Sequence, residues 1–349
     1  MSALYHLMLR YFIARKKDKG HHVNKPVATN KEENANVSIE RTDINGATNE
    51  PSEAVQGNSP GIERDPERKA QIPRHIIEKG IIYFFIRSRV NVENPQGVQD
   101  LQRTYFILRP LSKDAKLGHG PIPESNKNRL AVLPKKVFPK SSKDRFLAFV
   151  EKGGVSMKTL KEEFFPGTEY ETKTAGTRQT PPVVPLGEGV YVITAMGRTS
   201  YLTYILTIPR EIGQVQSDIG LQEKDSFIIG VKNPTKKGPT YAQLPRGPEY
   251  PKEMLEEFHD LRWIPVHKAE YLNYANAQFL LIGKGGDRLN KALEPNNKDK
   301  EDGKETAEEE LKKLEGEDLI RVEQMDGDAA IFEDLHIDKR NYPDVLTTW

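Results

Sequence analysis

The segment that decides the fold is GIIYFFIRSRV, residues Gly80–Val90. Between Tyr83 and Ile86 it is an unbroken run of aromatic and β-branched residues, which are the types enriched in strands. Because apolar and polar residues do not alternate here, the run predicts a strand buried on both faces. It therefore opens a strand-rich core.

Further strand-type segments follow as far as Gly285, separated mainly by turns and loops. They lie at residues 103–110, 129–134, 145–152, 189–195, 199–209, 225–234, 263–266 and 278–285. The pair GVYVITA and TSYLTYILTIP is joined by a short glycine-containing turn, which predicts a β-hairpin. Isolated helices are predicted at 156–165, 211–220 and 251–259. The predicted fold is α+β, mainly an antiparallel β sandwich or partly closed barrel, with a few short helices and disordered flanks.

The composition divides the chain into four parts. Residues 1–72 are rich in Asn, Glu, Thr, Ser and Gly and predict a largely disordered tail, because so few apolar residues cannot offset chain entropy. Residues 73–285 form the globular core. Residues 286–328 are predicted to be an acidic linker with a helical island at about 306–314, solvated rather than packed. The aromatic-rich end, 329–349, is predicted to dock on the core or on a partner.

The overall composition excludes several classes of function. The chain contains no cysteine, which excludes disulfides, thiolate zinc sites, iron–sulfur clusters and cysteine nucleophiles. Its net charge of +1 gives no overall field for an acidic partner. No apolar run is long enough to span a membrane as a helix. We expect an intracellular protein, nuclear or cytoplasmic in preference to mitochondrial.

The sequence contains no recognisable catalytic, metal or cofactor motif. None of the eight histidines has a metal-ligand spacing in the core, and no G-x-S-x-G elbow is present. GKGGDR at 283–288 lacks the spacing of a phosphate-binding loop. We therefore predict no catalytic residue, no metal ligand and no cofactor.

The strongest local charge pattern is LPKKVFPKSSKDRF, residues 133–146. It brings cations together with Phe138 and Phe146, a combination that can hold phosphates and stack on bases. If Phe138 points inward, the alternative is a solvated edge that protects a strand from aggregation. The candidate nucleic-acid-binding residues are Lys135, Lys136, Lys140, Lys143 and Arg145.

Two loops contain further candidates. His119 lies between two glycines in KLGHGPIP, where a catalytic base or an ordinary surface histidine would fit. Arg178 lies in the long Pro/Gly/Thr segment YETKTAGTRQTPPVVPLGEG, which suits a binding loop or a connector.

Several strings resemble a family of fungal proteins labelled BTB domain transcription factors. They include EKGIIYFFIRSRVNVENPQGVQDLQRTYFILRPL, SFIIGVKNPTKKGP, YPKEMLEEFHDLRWIP and DLHIDKRNYPDVLTTW. The resemblance implies nuclear, DNA-linked regulation. The strand-rich pattern differs from the helix-dominated BTB domain.

Two functions follow from these observations. The first is a non-enzymatic binding or scaffold protein, with a protein partner or a nucleic acid bound through the basic patch. The second is a small-molecule-binding or enzymatic β-barrel whose catalytic groups do not form a known motif. A deep pocket with convergent polar groups would favour the second, and a filled interior with a basic surface would favour the first.

Overall fold

The computed structural model describes residues 61–172, 176–238, 243–283, 292–293 and 303–349. Its strands are β1 (Ile62–Arg64), β2 (Ile76–Ser88), β3 (Leu101–Leu111), β4 (Ala115–Leu117), β5 (Asn128–Leu133), β6 (Arg145–Val155), β7 (Thr168–Thr172), β8 (Gly176–Thr180), β9 (Val184–Met196), β10 (Thr199–Ile208), β11 (Lys224–Lys232), β12 (Trp263–Pro265) and β13 (Gln278–Ile282). Its helices are α1 (Pro66–Gln71), α2 (Met157–Glu163), α3 (Gln214–Ile219), α4 (Lys252–Glu256), α5 (Ala307–Gln324) and α6 (Ala330–Asp334).

Eight of the strands form a closed antiparallel barrel. Their order is β10, β9, β2, β3, β5, β6, β13 and β11, and β11 pairs with β10 to complete the circle. The closing register runs from Ser200↔Ile229 to Ile205↔Lys224. The predicted antiparallel class is confirmed, and of the two predicted arrangements the barrel is the one present.

The side chains of β2 show why its apolar run is continuous. Ile82, Phe84 and Ile86 belong to the core cluster inside the barrel. The alternate residues Tyr83 and Phe85 are also buried, because helices and aromatic side chains cover this part of the outer surface. The strand is therefore buried on both faces.

The two ends of the barrel carry different connections. At the β5–β6 end lie the loop 134–144 and helix α3, together with the start of β9. At the β9–β10 end lie the hairpin turn at Gly197 and the long connection from β11 to β13, which contains α4 and β12. Every candidate surface discussed below belongs to one of these ends or to the outer wall.

Helix α5 corrects the prediction of an acidic linker with a solvated helical island. The helix runs for 18 residues, starts at a capping box of Thr306 and Glu309, and packs on β9, β10 and β4. Its inner face buries Leu311 and Leu314 and also the charged side chain of Arg321. The predicted helix is therefore confirmed, but it is packed rather than solvated, because those charges are paired inside the protein; most of the predicted linker before it lies outside the described residues.

The N-terminal boundary also needs correction. Residues 61–72 are ordered structure, because β1 pairs with β4 and α1 is capped by the Asp65 carboxylate. The buried side chain of Arg68 donates to Glu310 and Glu317 of α5. The predicted tail over residues 1–60 lies outside the described residues.

The C-terminal segment 329–349 lies against the barrel. In α6, Ile331 and Phe332 are buried. Farther on, Leu346 N donates to Pro185 O at 3.1 Å, and Val215 N donates to Thr347 O at 3.1 Å. These backbone hydrogen bonds join the end of the chain to the start of β9 and to α3.

Candidate functional site

Aromatic side chains fill the barrel interior. Phe84 contacts Phe138 edge-on with ring centroids 5.5 Å apart, and Phe138 stacks on Phe227 at 5.7 Å. Phe106 and Phe279 meet edge-on at 6.2 Å. An eight-stranded barrel has an interior just wide enough for side chains to fill, and here they do so. The interior therefore acts as a packed core.

The loop 134–144 is anchored by the same core. Phe138, from the middle of this loop, is only 2% exposed and enters the β5–β6 end of the barrel. Its backbone N–H donates to Ile219 O of α3 at 2.7 Å. Phe138 is therefore not available to stack on a base, which corrects the prediction that it could do so and is the arrangement expected of a solvated edge; the cations and Phe146 are the part of the pattern that can still contact a ligand. The burial instead fixes the position of the loop on the barrel.

Asp144 supplies the one carboxylate of the loop 134–144, and this carboxylate accepts hydrogen bonds from the same loop. Asp144 Oδ2 accepts from Ser141 Oγ and Ser141 N, both at 2.9 Å, and from Lys140 N at 3.2 Å. The hydrogen bond from the Ser141 hydroxyl, helped by the backbone donors, lowers the pKa of Asp144. The negative charge thus organises the turn.

The five predicted cations lie together on this loop and at the start of β6. Lys135, Lys140, Lys143 and Arg145 are exposed, and Lys136 is half-buried. Lys140 Nζ donates to Ser217 O at 3.0 Å, and Lys135 Nζ lies 5.8 Å from the centroid of the Phe146 ring. Partial burial, with Arg89 nearby, lowers the pKa of Lys136. The loop thus presents a cluster of positive charge whose position is set by the barrel.

An open groove adjoins the basic loop. It has a volume of about 540 Å³ and is lined by Lys140, Ser217, Lys224 and Glu223, among others. Trp349 lies beside α3, where its Nε1 donates to Asp218 Oδ2 at 2.8 Å. Phe146 and Trp349 are both half-buried residues at this end, packed against the rim of the core.

Arg178 lies at the same end, and His119 does not. Arg178 is a half-buried residue of β8, in a β7–β8 hairpin that the sequence predicted as a loop. Asn91 N donates to Gln179 O at 2.9 Å and ties this hairpin to the segment after β2. His119 is exposed in the β4–β5 connection, which leads into the start of β5 at the β9–β10 end. The two binding-loop candidates therefore do not form one site.

A cluster of ionised groups that the sequence did not predict lies between α5, α6 and the outer wall. Arg321 donates to Glu188, Asp318 and Asp334, and all four side chains are 0% exposed. Burial, reinforced by Asp334, raises the pKa of Glu188. In the sequence, the one local signal for this cluster is the i,i+3 spacing of Asp318 and Arg321. All four side chains are closed off from solvent, and their ion pairs join α5 to β9 and to α6.

A second unpredicted cluster lies at the β9–β10 end. Glu257 Oε2 accepts from His267 Nε2 and from Tyr271 Oη, both at 2.7 Å, and Oε1 accepts from Lys268 Nζ. The Lys268 and Tyr271 donors lower the pKa of Glu257 to about 2. With three donors on its two oxygens, Glu257 joins the end of α4 to the helical turn at 269–273.

Within the described part of the chain, no group of three or more His, Asp or Glu side chains is arranged to hold a metal ion. Among the same residues, no helix is both long and apolar enough to cross a membrane. Comparison of the chain with protein-family models, with curated proteins and with solved structures found no match.

Proposed function

We propose that this protein is a non-enzymatic binding protein that contacts the phosphate backbone of single-stranded nucleic acid through the loop 134–144 and the start of β6. The observation that carries the proposal is the exposed group of cations held in place by the buried Phe138. A fixed cationic loop loses less conformational entropy on binding than a mobile one.

The filled barrel supports a binding role over the small-molecule alternative. Small-molecule sites are concave and enclose most of the ligand surface. In this barrel the interior space is taken by core aromatic side chains such as Phe84, Phe106 and Phe227. The open groove of about 540 Å³ lies outside this core, next to the basic loop. A shallow groove of this kind suits an extended polymer.

The electrostatics of the loop favour phosphates. The carboxylate of Asp144 is used by three donors within the turn. Lys135 and Lys143 are exposed, so the loop presents a net positive charge to solvent. Each lysine that neutralises a phosphate releases counterions, so binding should weaken steeply as salt rises.

The partly exposed aromatic rings favour a single strand over a duplex. Bases of a single strand are free to stack on aromatic side chains, whereas those of a duplex are stacked on each other. Phe146 lies under Lys135, and Trp349 lies next to the groove. The nuclear, DNA-linked role implied by the sequence resemblance is compatible with such a ligand.

The test compares charge reversal at two places. The first variant changes to Glu the loop lysines, Lys135, Lys136, Lys140 and Lys143. The control variant has the same net charge and changes to Glu four exposed lysines elsewhere, Lys127, Lys158, Lys161 and Lys252. Binding is measured by fluorescence anisotropy with a labelled single-stranded oligonucleotide and with the matching duplex at low salt.

The loop variant should lose at least about tenfold in affinity for the single strand, while the control should stay within about threefold of the wild type. Equal losses in both variants would show that only net charge matters and would refute a site on the loop. Tighter binding of the duplex than of the single strand would refute the stacking part of the proposal.

A further inference from the structure

A second basic site lies at the β9–β10 end, away from the loop lysines. A cavity of about 140 Å³ opens between the end of β11, the chain at 243–248 and the start of β13. Four of its lining residues are cationic, and amide side chains complete its polar lining. These residues are Lys232, Lys236, Lys237, Arg246, Gln243, Asn276 and Gln278. Among the described residues that line it, none is acidic.

The deepest cation of the cavity is held in place. Lys232 Nζ donates to Gln278 Oε1 at 2.7 Å, which links β11 to the neighbouring strand β13. The chain passes close over this ammonium group at Gly238, where an added Cβ would lie 2.9 Å from Nζ. The ammonium group of Lys232 therefore forms part of the cavity wall.

The turn that carries the next two lysines is also ordered. Asn233 Oδ1 accepts from Thr235 N at 3.0 Å and from Thr235 Oγ1 at 2.7 Å. Lys236 N donates to Asn233 O at 3.2 Å. Such Asx-type turns fix the direction of the residues that follow. The turn therefore sets Lys236 and Lys237 at the cavity before any ligand arrives.

Among the described residues, the positive charge of the cavity is only weakly compensated. Partial burial and the neighbouring Arg262 lower the pKa of Lys232. Lys236 has an ion pair with Asp260 at 3.4 Å, but that carboxylate is fully exposed and gives weak compensation. An anion that entered the cavity would supply the missing negative charge and would meet several donors at once.

We infer that this cavity binds a phosphoryl group, either as inorganic phosphate or as the phosphate of a small monoester. Its volume of about 140 Å³ suits a tetrahedral oxyanion. Arg246 supplies a planar fork of donors, and Lys232 supplies a point charge that is held by its hydrogen bond to Gln278. The site is independent of the proposed nucleic-acid surface, which lies at the β5–β6 end.

The experiment titrates the full chain with sodium phosphate, at an ionic strength held constant with sodium chloride, and follows the melting temperature. Phosphate should raise the melting temperature with a saturable dependence on its concentration, because a ligand that binds only the folded state stabilises it. A second titration uses O-phosphoserine. Tighter binding of O-phosphoserine than of phosphate assigns the site to a monoester, and the reverse order assigns it to the free anion.

Arg246→Gln removes the fork at an exposed position and should weaken phosphate binding at least about tenfold. Lys252→Gln is the control, since it removes one positive charge from an 85% exposed side chain of α4 that does not line the cavity. It should leave phosphate binding unchanged. Equal stabilisation by phosphate and by chloride, or equal phosphate affinity in both variants, would overturn the inference. The melting temperatures without phosphate show whether each variant is folded.

Discussion

Replacement of Arg321 by Met tests the role of the buried ion cluster in holding α5 on the barrel. The guanidinium group makes four hydrogen bonds to three carboxylates, through Nε and Nη2 to Asp318, Nη1 to Asp334 and Nη2 to Glu188. Methionine keeps much of the side-chain volume and removes the charge. The three acidic groups then remain in a site with no access to water.

The expected cost follows from this geometry. Loss of one partner of a buried ion pair typically costs about 3–5 kcal/mol, because the remaining charge stays buried and uncompensated. Three carboxylates share Arg321, so we expect a value in the upper half of that range. Since about 1.4 kcal/mol corresponds to a factor of ten, the folding equilibrium constant should fall by roughly 700-fold to 4,000-fold.

An exposed ion pair to the same helix provides a matched control. Arg210 and Glu323 also join the barrel to α5, but their side chains are 64% and 59% exposed. Arg210→Met should therefore cost about 1 kcal/mol or less. Both variants are compared with the wild type by urea denaturation, and an unchanged m-value shows that the same surface is exposed on unfolding.

A second replacement tests the protonation of the cluster. Because burial raises the pKa of Glu188, this group holds a proton over a wider pH range when folded than when unfolded. The associated stability is present at acidic pH and falls as pH rises above the ordinary carboxyl range. Glu188→Gln removes the titrating group, so it should reduce this fall in stability with rising pH, as measured by urea denaturation over a series of pH values. If Arg321→Met costs no more than Arg210→Met, the cluster does not hold α5 and this reasoning is refuted.

Three further predictions concern other parts of the structure. Phe138→Ala should destabilise the protein by about 3–5 kcal/mol, measured by urea denaturation, because it leaves a cavity in the barrel core; a loss under 1 kcal/mol would contradict the anchoring of the loop. The lowered pKa of Glu257 adds stability that is lost as pH falls from the ordinary Glu pKa to about 2. Glu257→Gln should therefore make stability less dependent on pH in this range. Identical acid-unfolding profiles of the variant and the wild type would contradict this prediction. Deletion of residues 342–349 should lower the melting temperature, because it removes the hydrogen bonds to Pro185 and Val215; an unchanged value would contradict a stabilising contact.

Most strands of the barrel could be predicted because burial on one or both faces leaves a direct pattern in the sequence. The predicted strand 199–209 corresponds to β10, Thr199–Ile208, and its hairpin with β9 is present. The β7–β8 hairpin was missed because its described side chains are mostly exposed and polar, so no apolar pattern marks it. Closure through β10 and β11 is a tertiary property that neither strand shows by itself.

Helix α5 was mispredicted for a different reason. Its buried face contains Glu310, Asp318 and Arg321, which a sequence pattern assigns to the solvent side. Their partners Lys79 and Glu188 lie far away in the chain, on β2 and β9. Buried ion pairs between distant segments leave no periodic signal. The start of the helix does have a sequence signal, since Thr306 and Glu309 have the spacing of a capping box.

The candidate surfaces also combine features that are visible in the sequence with features that only the fold creates. Clustered cations in one loop, such as Lys135 and Lys143, are visible in the sequence directly. The inward direction of Phe138 depends on the packing of α3 and could not be predicted. The phosphate-sized cavity joins Lys232 and Arg246 across the chain connection that follows β11, and only the fold brings them together.

The most direct test of the proposed function is the salt dependence of nucleic-acid binding. The slope of log K against log salt concentration counts the phosphates that the protein neutralises, at about 0.7 per phosphate for a single strand. Removal of the loop lysines should make the slope shallower by about 2–3, whereas the control variant should keep the wild-type slope. Parallel lines for the wild type and the loop variant would contradict the assignment of phosphate contacts to this loop.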